Sequence, residues 1–345
     1  MNRVLPYIQI ARPDHWFKNV FMLLGVVLAF FYLQETCTLE SWNVMIYRLC
    51  LGFFATCIVA SSNYVINEIL DAPTDRSHPT KRNRPIPSGK VSLPLAYFLW
   101  LFLAVIGLGA SWTLGKPFFF SALTLWIMGM IYNIPPVRSK EWIYLDVISE
   151  SVNNPLRLLL GWYAITDVSA QIPPISLIIS YWMVGAFFMA TKRFAELRWI
   201  GNKEVAAAYR ASFRYYTETN LLVSMFIYAV ASALFLGVFI VRYHVELIFS
   251  VPFLAGFFGY YLYIGLKPDS PVQHPEHLYK ETGLMMYLFF CTVLFFVLMF
   301  IRIPVMHKIF NVESTRVPEL WTIGEENFPR NPETSTNGDD SKNSF

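Results

Sequence analysis

Residues 44–75 read VMIYRLCLGFFATCIVASSNYVINEILDAPTD, and this stretch changes character along its length. Arg48 is the only charged side chain in residues 44–66, a run long enough to cross the hydrocarbon core of a bilayer as a helix. The run then ends in Asn67, Asp71 and Asp75, which recur every four residues and so stack on one face of a helix. The stretch therefore predicts a membrane-spanning helix with a polar face at one end.

Apolar runs of this kind recur along the whole chain. Of the 345 residues, 55% are apolar and 15% are charged, whereas an average soluble protein has about 25% charged residues. This composition excludes a disordered protein, a disulfide scaffold and an ordinary cytosolic domain, and a net charge of +3 is too small to argue for nucleic acid. We predict an all-α polytopic membrane protein with nine transmembrane helices. The predicted spans are 19–34, 44–66, 92–112, 117–133, 143–165, 174–194, 218–241, 246–266 and 283–303.

The distribution of Lys and Arg predicts the orientation. Basic residues crowd one set of loop ends, while the opposite loops hold only Arg48, Lys116 and Arg242. Because cytoplasmic loops carry the excess of positive charge, the N-terminus and the crowded ends should be cytoplasmic. We therefore predict a cytoplasmic or interfacial segment over 1–18, a nine-helix catalytic domain over 19–303, and a polar, disordered tail over 304–345 on the opposite side of the membrane.

The acidic end of the stretch 44–75 has the chemistry of a metal site. Asn67, Asp71 and Asp75 supply hard oxygen ligands, which suit Mg²⁺ completed by water and substrate phosphates. Pro73 predicts that the helix kinks or ends near Ala72, so that Asp75 would reach the site from a loop. The alternative is a solvated helix end, although acids there oppose the helix dipole.

Basic residues follow the acids directly. Arg76, His78, Lys81, Arg82 and Arg84 lie within nine residues, next to prolines that would hold the loop in one shape. This pattern favours a phosphorylated, anionic substrate, with Lys as a point charge and Arg as a bidentate fork. A juxtamembrane anchor for anionic lipid explains the charge equally well, but not the neighbouring acids.

Two further polar clusters lie at loop ends on the same predicted side. An Arg as deep in a span as Arg157 almost always faces a bundle interior, and its alternative role is a salt bridge to Glu150. For the cluster that contains Lys192 and Arg193, the alternative is ordinary charge in a cytoplasmic loop. We expect the clusters to converge on a central polar cavity that opens to the cytoplasm. Their members are Tyr132, Arg138, Lys140, Asp146, Glu150 and Arg157, and then Lys192, Arg193, Glu196 and Arg210.

These residues resemble the UbiA-type intramembrane prenyltransferase superfamily. The N-x-x-x-D-x-x-x-D motif is met by Asn67, Asp71 and Asp75, and a second motif by Tyr132, Lys140 and Asp146. The resemblance covers about residues 10–300. It implies nine helices around a cavity that holds Mg²⁺-bound diphosphate beneath a cytoplasmic cap, with Asn67, Asp71 and Asp75 as metal ligands.

Within the superfamily the chain is most similar to the decaprenyl-phosphate phosphoribosyltransferases. Three stretches carry this narrower resemblance: 12–19 (RPDHWFKN), 75–85 (DRSHPTKRNRP) and 192–197 (KRFAEL). Glu68 stands where that group often has Asp, and Pro135-Pro136 with Arg138 is typical of other branches.

The narrower resemblance implies a transferase with a diphosphate leaving group, in the inner (plasma) membrane of a bacterium. It would move 5-phosphoribosyl from phosphoribosyl diphosphate to a polyprenyl phosphate, for cell-envelope glycan synthesis. Lys81, Arg84, Lys192 and Arg193 would clamp the donor phosphates, and Asp146 or Glu196 would stabilise positive charge on the sugar. Lys18, Arg138 or Arg157 would hold the lipid phosphate. The catalytic residues predicted are Asp71, Asp75, Tyr132 and Asp146, and the substrate-binding residues also include Lys140 and Glu150.

Two other functions stay open at this point. A prenyltransferase would use the same acids and Mg²⁺ to ionise a prenyl diphosphate, with Tyr132 near the allylic cation, and would attach the chain to an aromatic or other small acceptor. A transporter is disfavoured, because transporters place their sites near the midplane and carry internal repeats. The expected partners are the two substrates and the lipid bilayer, without nucleic acid. A homo-oligomer is neither favoured nor excluded.

Overall fold

The computed structural model describes residues 4–33, 42–76, 81–169, 171–273 and 275–310, and within them every regular element is a helix. The chain divides into two compact units, residues 1–303 and 304–345. The α-helices are α1 Leu5–Ile10, α2 Met22–Tyr32, α3 Trp42–Asp75, α4 Leu93–Trp112, α5 Lys116–Asn133, α6 Leu145–Ser151, α7 Asn153–Ile165, α8 Ile175–Ile200, α9 Lys203–Tyr209, α10 Glu218–Tyr243, α11 Val251–Gly265, α12 Thr282–Phe300 and α13 Pro304–Phe310. The 3₁₀ turns are Pro13–Phe21, Lys81–Asn83, Ser139–Glu141, Ala211–Arg214, Val245–Ser250, Pro271–Gln273 and Pro275–Lys280.

Seven helical stretches are long and apolar enough to cross a bilayer. They carry large apolar side chains that are exposed, such as Phe98, Phe226 and Phe289, as a helix facing lipid would. The other two predicted spans coincide with α5 and with the pair α6 and α7, so the count of nine stays a prediction. The seven are Leu5–Tyr32, Trp42–Asp75, Leu93–Trp112, Ile175–Ile200, Glu218–Tyr243, Val245–Gly265 and Thr282–Phe300.

Of the two outcomes predicted for Pro73, an end of the helix near Ala72 is wrong, because α3 runs through Pro73 to Asp75, while a kink there stays a prediction. The proline lies in the last turn, where the helix loses one hydrogen bond but gains a closing one from Arg76 N to Ala72 O at 3.2 Å. Asp75 therefore stays on the same helix as Asn67 and Asp71.

The predicted span 143–165 is divided into two helices. α6 ends at Ser151 and α7 begins at Asn153. Pro155 has no N–H with which to bond the carbonyl of Ser151, which accounts for a break at this point. The division places Asn153 and Arg157 at the start of a new helix, next to the polar end of α6.

Helix packing brings the polar ends together. α8 packs along α10, α3 along α4, and α2 along α7. α2 and α7 meet at two glycines: a Cβ on Gly25 would overlap with the carbonyl oxygen of Leu158, and one on Gly161 with that of Met22. A separate apolar cluster, which includes Ile10, Ile69 and Ile86, fixes the N-terminal segment and the loop after α3 onto the acidic end of α3.

α13 lies in the region predicted as a disordered tail, and residues 311–345 of that region are outside the described residues. His78 of the basic loop is also outside them.

Candidate active site

The polar face of α3 is held by basic side chains from the loop after α5. Lys140 Nζ donates to Asp71 Oδ1 at 2.6 Å, and Arg138 Nη2 donates to the same oxygen at 3.1 Å. Lys140 is only 7% exposed, and its burial lowers the pKa of the ammonium below the ordinary lysine value although Asp71 opposes this shift. Asp71 is thus paired with two cations, Lys140 and Arg138.

Asn133, at the end of α5, joins Asn67 to this pair. The Asn67 amide donates to Asn133 Oδ1, which also accepts a hydrogen bond from Lys140 Nζ at 2.9 Å. Asn133 is not among the residues predicted from the sequence, although it directly follows Tyr132 and ends an apolar helix. Its buried amide orders both predicted metal and substrate ligands.

The third residue of the motif, Asp75, has its own partner. Arg84 Nη1 donates to Asp75 Oδ2 at 2.7 Å, and Asp75 is 5% exposed. This contact holds the loop after α3 against the end of that helix. The predicted basic clamp needs Arg84 at that place.

Lys81 connects the loop after α3 with the loop between α8 and α10. Its Nζ lies 4.3 Å from the ring centroid of Tyr209, at the end of α9. Burial lowers the pKa of Lys81 to about 8, against the attraction of Asp75, and the charges of Arg84 and Arg210 lower it further. A bound anion would stabilise the charged form of Lys81 and so raise its pKa again.

Arg193 is the centre of a buried ion cluster. Its guanidinium donates to Asp146 at 3.0 Å, to Glu196 at 3.1 Å and to Glu150 at 2.9 Å, and only 2% of its side chain is exposed. Lys192, on the neighbouring position of α8, lies 3.9 Å from Glu196. Arg193 therefore ties α6 to α8 with all of its nitrogens engaged.

Asp146 has no exposed surface. Besides Arg193, it accepts hydrogen bonds from Tyr216 at 2.7 Å and from Ser212 at 3.3 Å. Burial, and then the Asp146 charge, raise the pKa of the Tyr216 hydroxyl, so that it stays a donor. This environment is that of a group that positions other side chains, and the predicted contact of Asp146 with a sugar stays a prediction.

Tyr132 and Arg210 join the two sets of ion pairs. Tyr132 donates to Glu150 at 2.8 Å, and Arg210 Nη1 lies 3.4 Å from the Tyr132 hydroxyl, 3.5 Å from the Lys140 carbonyl oxygen and 3.6 Å from Asp146. We call these residues, together with the Asp75–Arg84 pair and Lys81, the main polar group. Its members are Asn67, Asp71, Asp75, Lys81, Arg84, Tyr132, Asn133, Arg138, Lys140, Asp146, Glu150, Lys192, Arg193, Glu196 and Arg210.

Arg157 and Lys18 belong to a second group nearby, which we call the amino-terminal group. Arg157 Nε donates to Asn19 Oδ1 at 3.0 Å, while Lys18 Nζ lies 3.4 Å from His15 Nδ1. The contact of Arg157 is thus with Asn19 and is not the salt bridge to Glu150 that was the alternative. Arg157 thus lies near the start of α7, and Lys18 lies in the 3₁₀ turn before α2.

The donors of the motif suit Mg²⁺ by their chemistry, but they do not form a cage by themselves. Among the described residues, no group of three or more His, Cys, Asp or Glu side chains is arranged to hold a metal ion. Mg²⁺ is commonly held by one or two carboxylates, with substrate phosphates and waters as its other ligands. Asn67, Asp71 and Asp75 on one face of α3 fit a site of that kind.

Comparison with known proteins gives the same picture as the motifs. The model of the UbiA prenyltransferase family matches residues 22–275. Decaprenyl-phosphate phosphoribosyltransferase of Mycolicibacterium smegmatis is 31% identical over 221 residues, which are 64% of this chain and 65%, just under two thirds, of that protein. The Mycobacterium tuberculosis enzyme of the same name is 28% identical over 227 residues, 64% of this chain and 68% of that one.

A solved structure shows the same fold. A UbiA homologue from Archaeoglobus fulgidus bound to GPP and Mg²⁺ covers 86% of this chain and 100% of its own, at a TM-score of 0.61 and 18% identity. Because the family model matches well over half of the residues, the chain belongs to the UbiA prenyltransferase family.

Proposed function

We propose that this integral membrane protein transfers a 5-phosphoribosyl group from phosphoribosyl diphosphate to a polyprenyl phosphate, with Mg²⁺ as cofactor. The bond between the anomeric carbon and the diphosphate oxygen breaks, and a bond from that carbon to a lipid phosphate oxygen forms. Diphosphate leaves with the electron pair. The relatives named decaprenyl-phosphate phosphoribosyltransferase support this substrate pair.

The observation that carries the proposal is that the basic residues make two sets of contacts. The main polar group holds Lys81, Arg84, Lys140 and Arg193 around the acids of α3 and α6. The amino-terminal group adds Lys18 and Arg157. A prenyltransferase with a neutral acceptor needs one diphosphate site, whereas phosphoribosyl transfer to a lipid phosphate needs a second place for an anion. Two groups therefore favour the reaction with two phosphorylated substrates.

Each set of residues has its own role in this reaction. Mg²⁺, held by Asn67, Asp71 and Asp75, would neutralise charge that grows on the leaving diphosphate. Lys81, Arg84 and Lys192 would bind and orient the donor phosphates. Arg193, whose three nitrogens each bond a carboxylate, would position Asp146 and Glu196, and Glu196 would favour positive charge on the sugar. The lipid phosphate is already an anion, so no Ser, Cys or His of the chain has to act as a nucleophile. Lys18, Arg138 or Arg157 holds that phosphate.

The test is an assay with labelled donor. Purified protein in detergent is incubated with Mg²⁺, polyprenyl phosphate and phosphoribosyl diphosphate labelled in the ribose, and the lipid phase is counted. We expect label in the lipid phase and release of an equal amount of diphosphate. If the lipid phase stays unlabelled with polyprenyl phosphates of several lengths, the proposed reaction is wrong.

Prenyl transfer is the second candidate, and one observation favours it. Tyr132 lies in the main polar group, within 6.0 Å of Lys140 Nζ measured to its ring centroid, where its ring could face an allylic cation. The solved homologue bound to GPP and Mg²⁺ points in the same direction. Consumption of a prenyl diphosphate with an aromatic acceptor, in place of ribose transfer, would favour this alternative.

The orientation belongs to the same proposal. We place the N-terminus and the main polar group on the cytoplasmic side of a bacterial inner membrane and residues 304–345 on the other side, because basic residues crowd the ends that carry the site. Single cysteines at Arg76 and at Asp167, in a variant without other cysteines, should react with a membrane-impermeant thiol reagent from opposite sides of the membrane.

A further inference from the structure

A cavity of about 370 Å³ lies between the N-terminal segment and the loop after α3. Its polar wall consists of Gln9, Arg12, Asp14, Glu68 and Arg84. This volume is near the lower end of the range for small-molecule sites, about 300–1,000 Å³. The mechanism proposed above uses only Arg84 of these residues, so the cavity has no role yet.

Glu68 is the buried acid of this wall. It is 4% exposed, and its Oε1 accepts a hydrogen bond from Ile86 N at 3.1 Å. Within the described parts of the chain this is the only hydrogen bond of the carboxylate. Since Glu68 follows Asn67 on α3, it points about 100° away from the metal-binding face. A buried carboxylate in a cavity wall is a ready acceptor for ligand hydroxyl groups.

Arg12 supplies positive charge from the wall formed by the N-terminal segment, and its backbone is strained. Its φ of 52° and ψ of 56° are left-handed, a conformation that strains a residue other than glycine. The turn separates α1 from the 3₁₀ turn Pro13–Phe21. Among the described residues, both side-chain contacts of the guanidinium use Nη2, at 3.4 Å from Asp14 and 2.7 Å from His15 Nε2. Its remaining nitrogens can serve a ligand.

The mixture of charges selects the ligand class. Arg12 and Arg84 attract a phosphate, but Glu68 and Asp14 would repel a ligand that carries only anionic oxygens. A molecule with a phosphate at one end and hydroxyl groups beside it can bind both the arginines and the carboxylates of the wall. Arg84 also pairs with Asp75 at 2.7 Å, so the cavity adjoins one of the carboxylates proposed to hold the Mg²⁺ of the diphosphate end.

We propose that this cavity binds the pentose 5-phosphate end of the sugar-phosphate donor, with Arg12 on the phosphate and Glu68 accepting hydrogen bonds from the ribose hydroxyls. The identity of the donor rests on the function proposed above. Arg12 and Glu68 then determine specificity for a phosphorylated sugar, since a prenyl chain offers neither group.

The experiment compares two probes on the purified full-length protein. Equilibrium binding of ribose 5-phosphate, and separately of inorganic diphosphate with Mg²⁺, is measured for the wild type and for the variants Arg12→Gln and Glu68→Gln. Gln keeps an oxygen that can accept from Ile86 N. Arg242→Gln and Glu246→Gln are matched controls at the far end of α10, where Glu246 likewise is buried and accepts a backbone hydrogen bond, from Ile303 N at 2.9 Å.

We expect both variants to bind ribose 5-phosphate about tenfold or more weakly, with diphosphate affinity unchanged within about twofold, because a hydrogen bond to a charged group is lost only at the sugar end. The controls should bind both probes as the wild type does. Arg12 is partly exposed, so its variant should fold even if Glu68→Gln does not.

Equal affinity of wild type and variants for ribose 5-phosphate overturns the inference, and so does an equal loss for both probes. If labelled ribose enters the lipid while the variants bind normally, this inference fails and the proposed function stands. If the wild type binds neither ribose 5-phosphate nor phosphoribosyl diphosphate and transfers a prenyl group instead, both fail.

Discussion

Asp71 and Lys140, which are 69 positions apart in the chain, form an ion pair of 2.6 Å at the mouth of the candidate site. The carboxylate proposed to hold a metal ion is therefore paired with a cation of the chain itself. A metal ion that binds Asp71 competes with Lys140, and the ammonium released from Asp71 becomes available to a phosphate. Metal and diphosphate should consequently bind more tightly together than either does alone.

Asp71→Asn should lower turnover by about 10²-fold or more, because the neutral amide cannot support a metal that stabilises the leaving group in the transition state. Formation of labelled lipid by purified enzyme measures this effect. Asp167→Asn, in an exposed loop, is the control and should retain full activity. Near-normal turnover of Asp71→Asn would refute the assignment of Asp71 to the metal.

The spacing of the motif predicted that Asn67, Asp71 and Asp75 lie on one helix, and residues four apart on a helix share a face whatever surrounds them. Partners from distant helices were not predictable in this way. Asn19 and Arg157 are 138 positions apart, and their contact depends on how α2 packs against α7.

Two prolines in the sequence have different effects on their helices. Pro155 coincides with the break between α6 and α7, whereas Pro73 leaves α3 helical to Asp75. A proline removes one hydrogen bond in either place, but Pro73 lies in a last turn that closes with the bond from Arg76 N to Ala72 O. Whether a helix survives such a loss depends on the bonds and packing around it.

Gly25→Ala should destabilise the protein by about 3 kcal/mol, toward the upper end for overpacked sites, because the new Cβ would meet backbone of α7 that cannot move aside. Thermal unfolding in detergent measures the loss. Gly109→Ala is a suitable control, since a Cβ there meets nothing within 4 Å. Equal melting temperatures of the two variants would mean that α2 and α7 do not approach as closely as described.

Arg193→Met should destabilise the protein by about 3–5 kcal/mol, because three acidic side chains lose the cation between them and an unpaired buried charge is costly. Arg198→Met removes an arginine that is 37% exposed and should have little effect on the melting temperature. If both variants unfold alike, Arg193 is not the centre that connects α6 with α8.

The affinity for diphosphate should fall as the pH rises through about 8, the value to which burial lowers the pKa of Lys81. Only the charged ammonium attracts the ligand, and a bound anion raises its pKa again, so binding above this pH takes up a proton. The dissociation constant should then increase by up to about tenfold per pH unit, as proton linkage requires.

Lys81→Arg is the matched variant for this titration, because arginine stays charged throughout the range and the ligand ionises identically for both proteins. The difference between the two pH profiles therefore isolates Lys81 from the ionisation of diphosphate itself. Binding is measured between pH 7 and pH 9.5 on purified protein with Mg²⁺. Parallel profiles would show that Lys81 does not face the bound phosphate, and the clamp would then have to rest on Arg84 and Lys192.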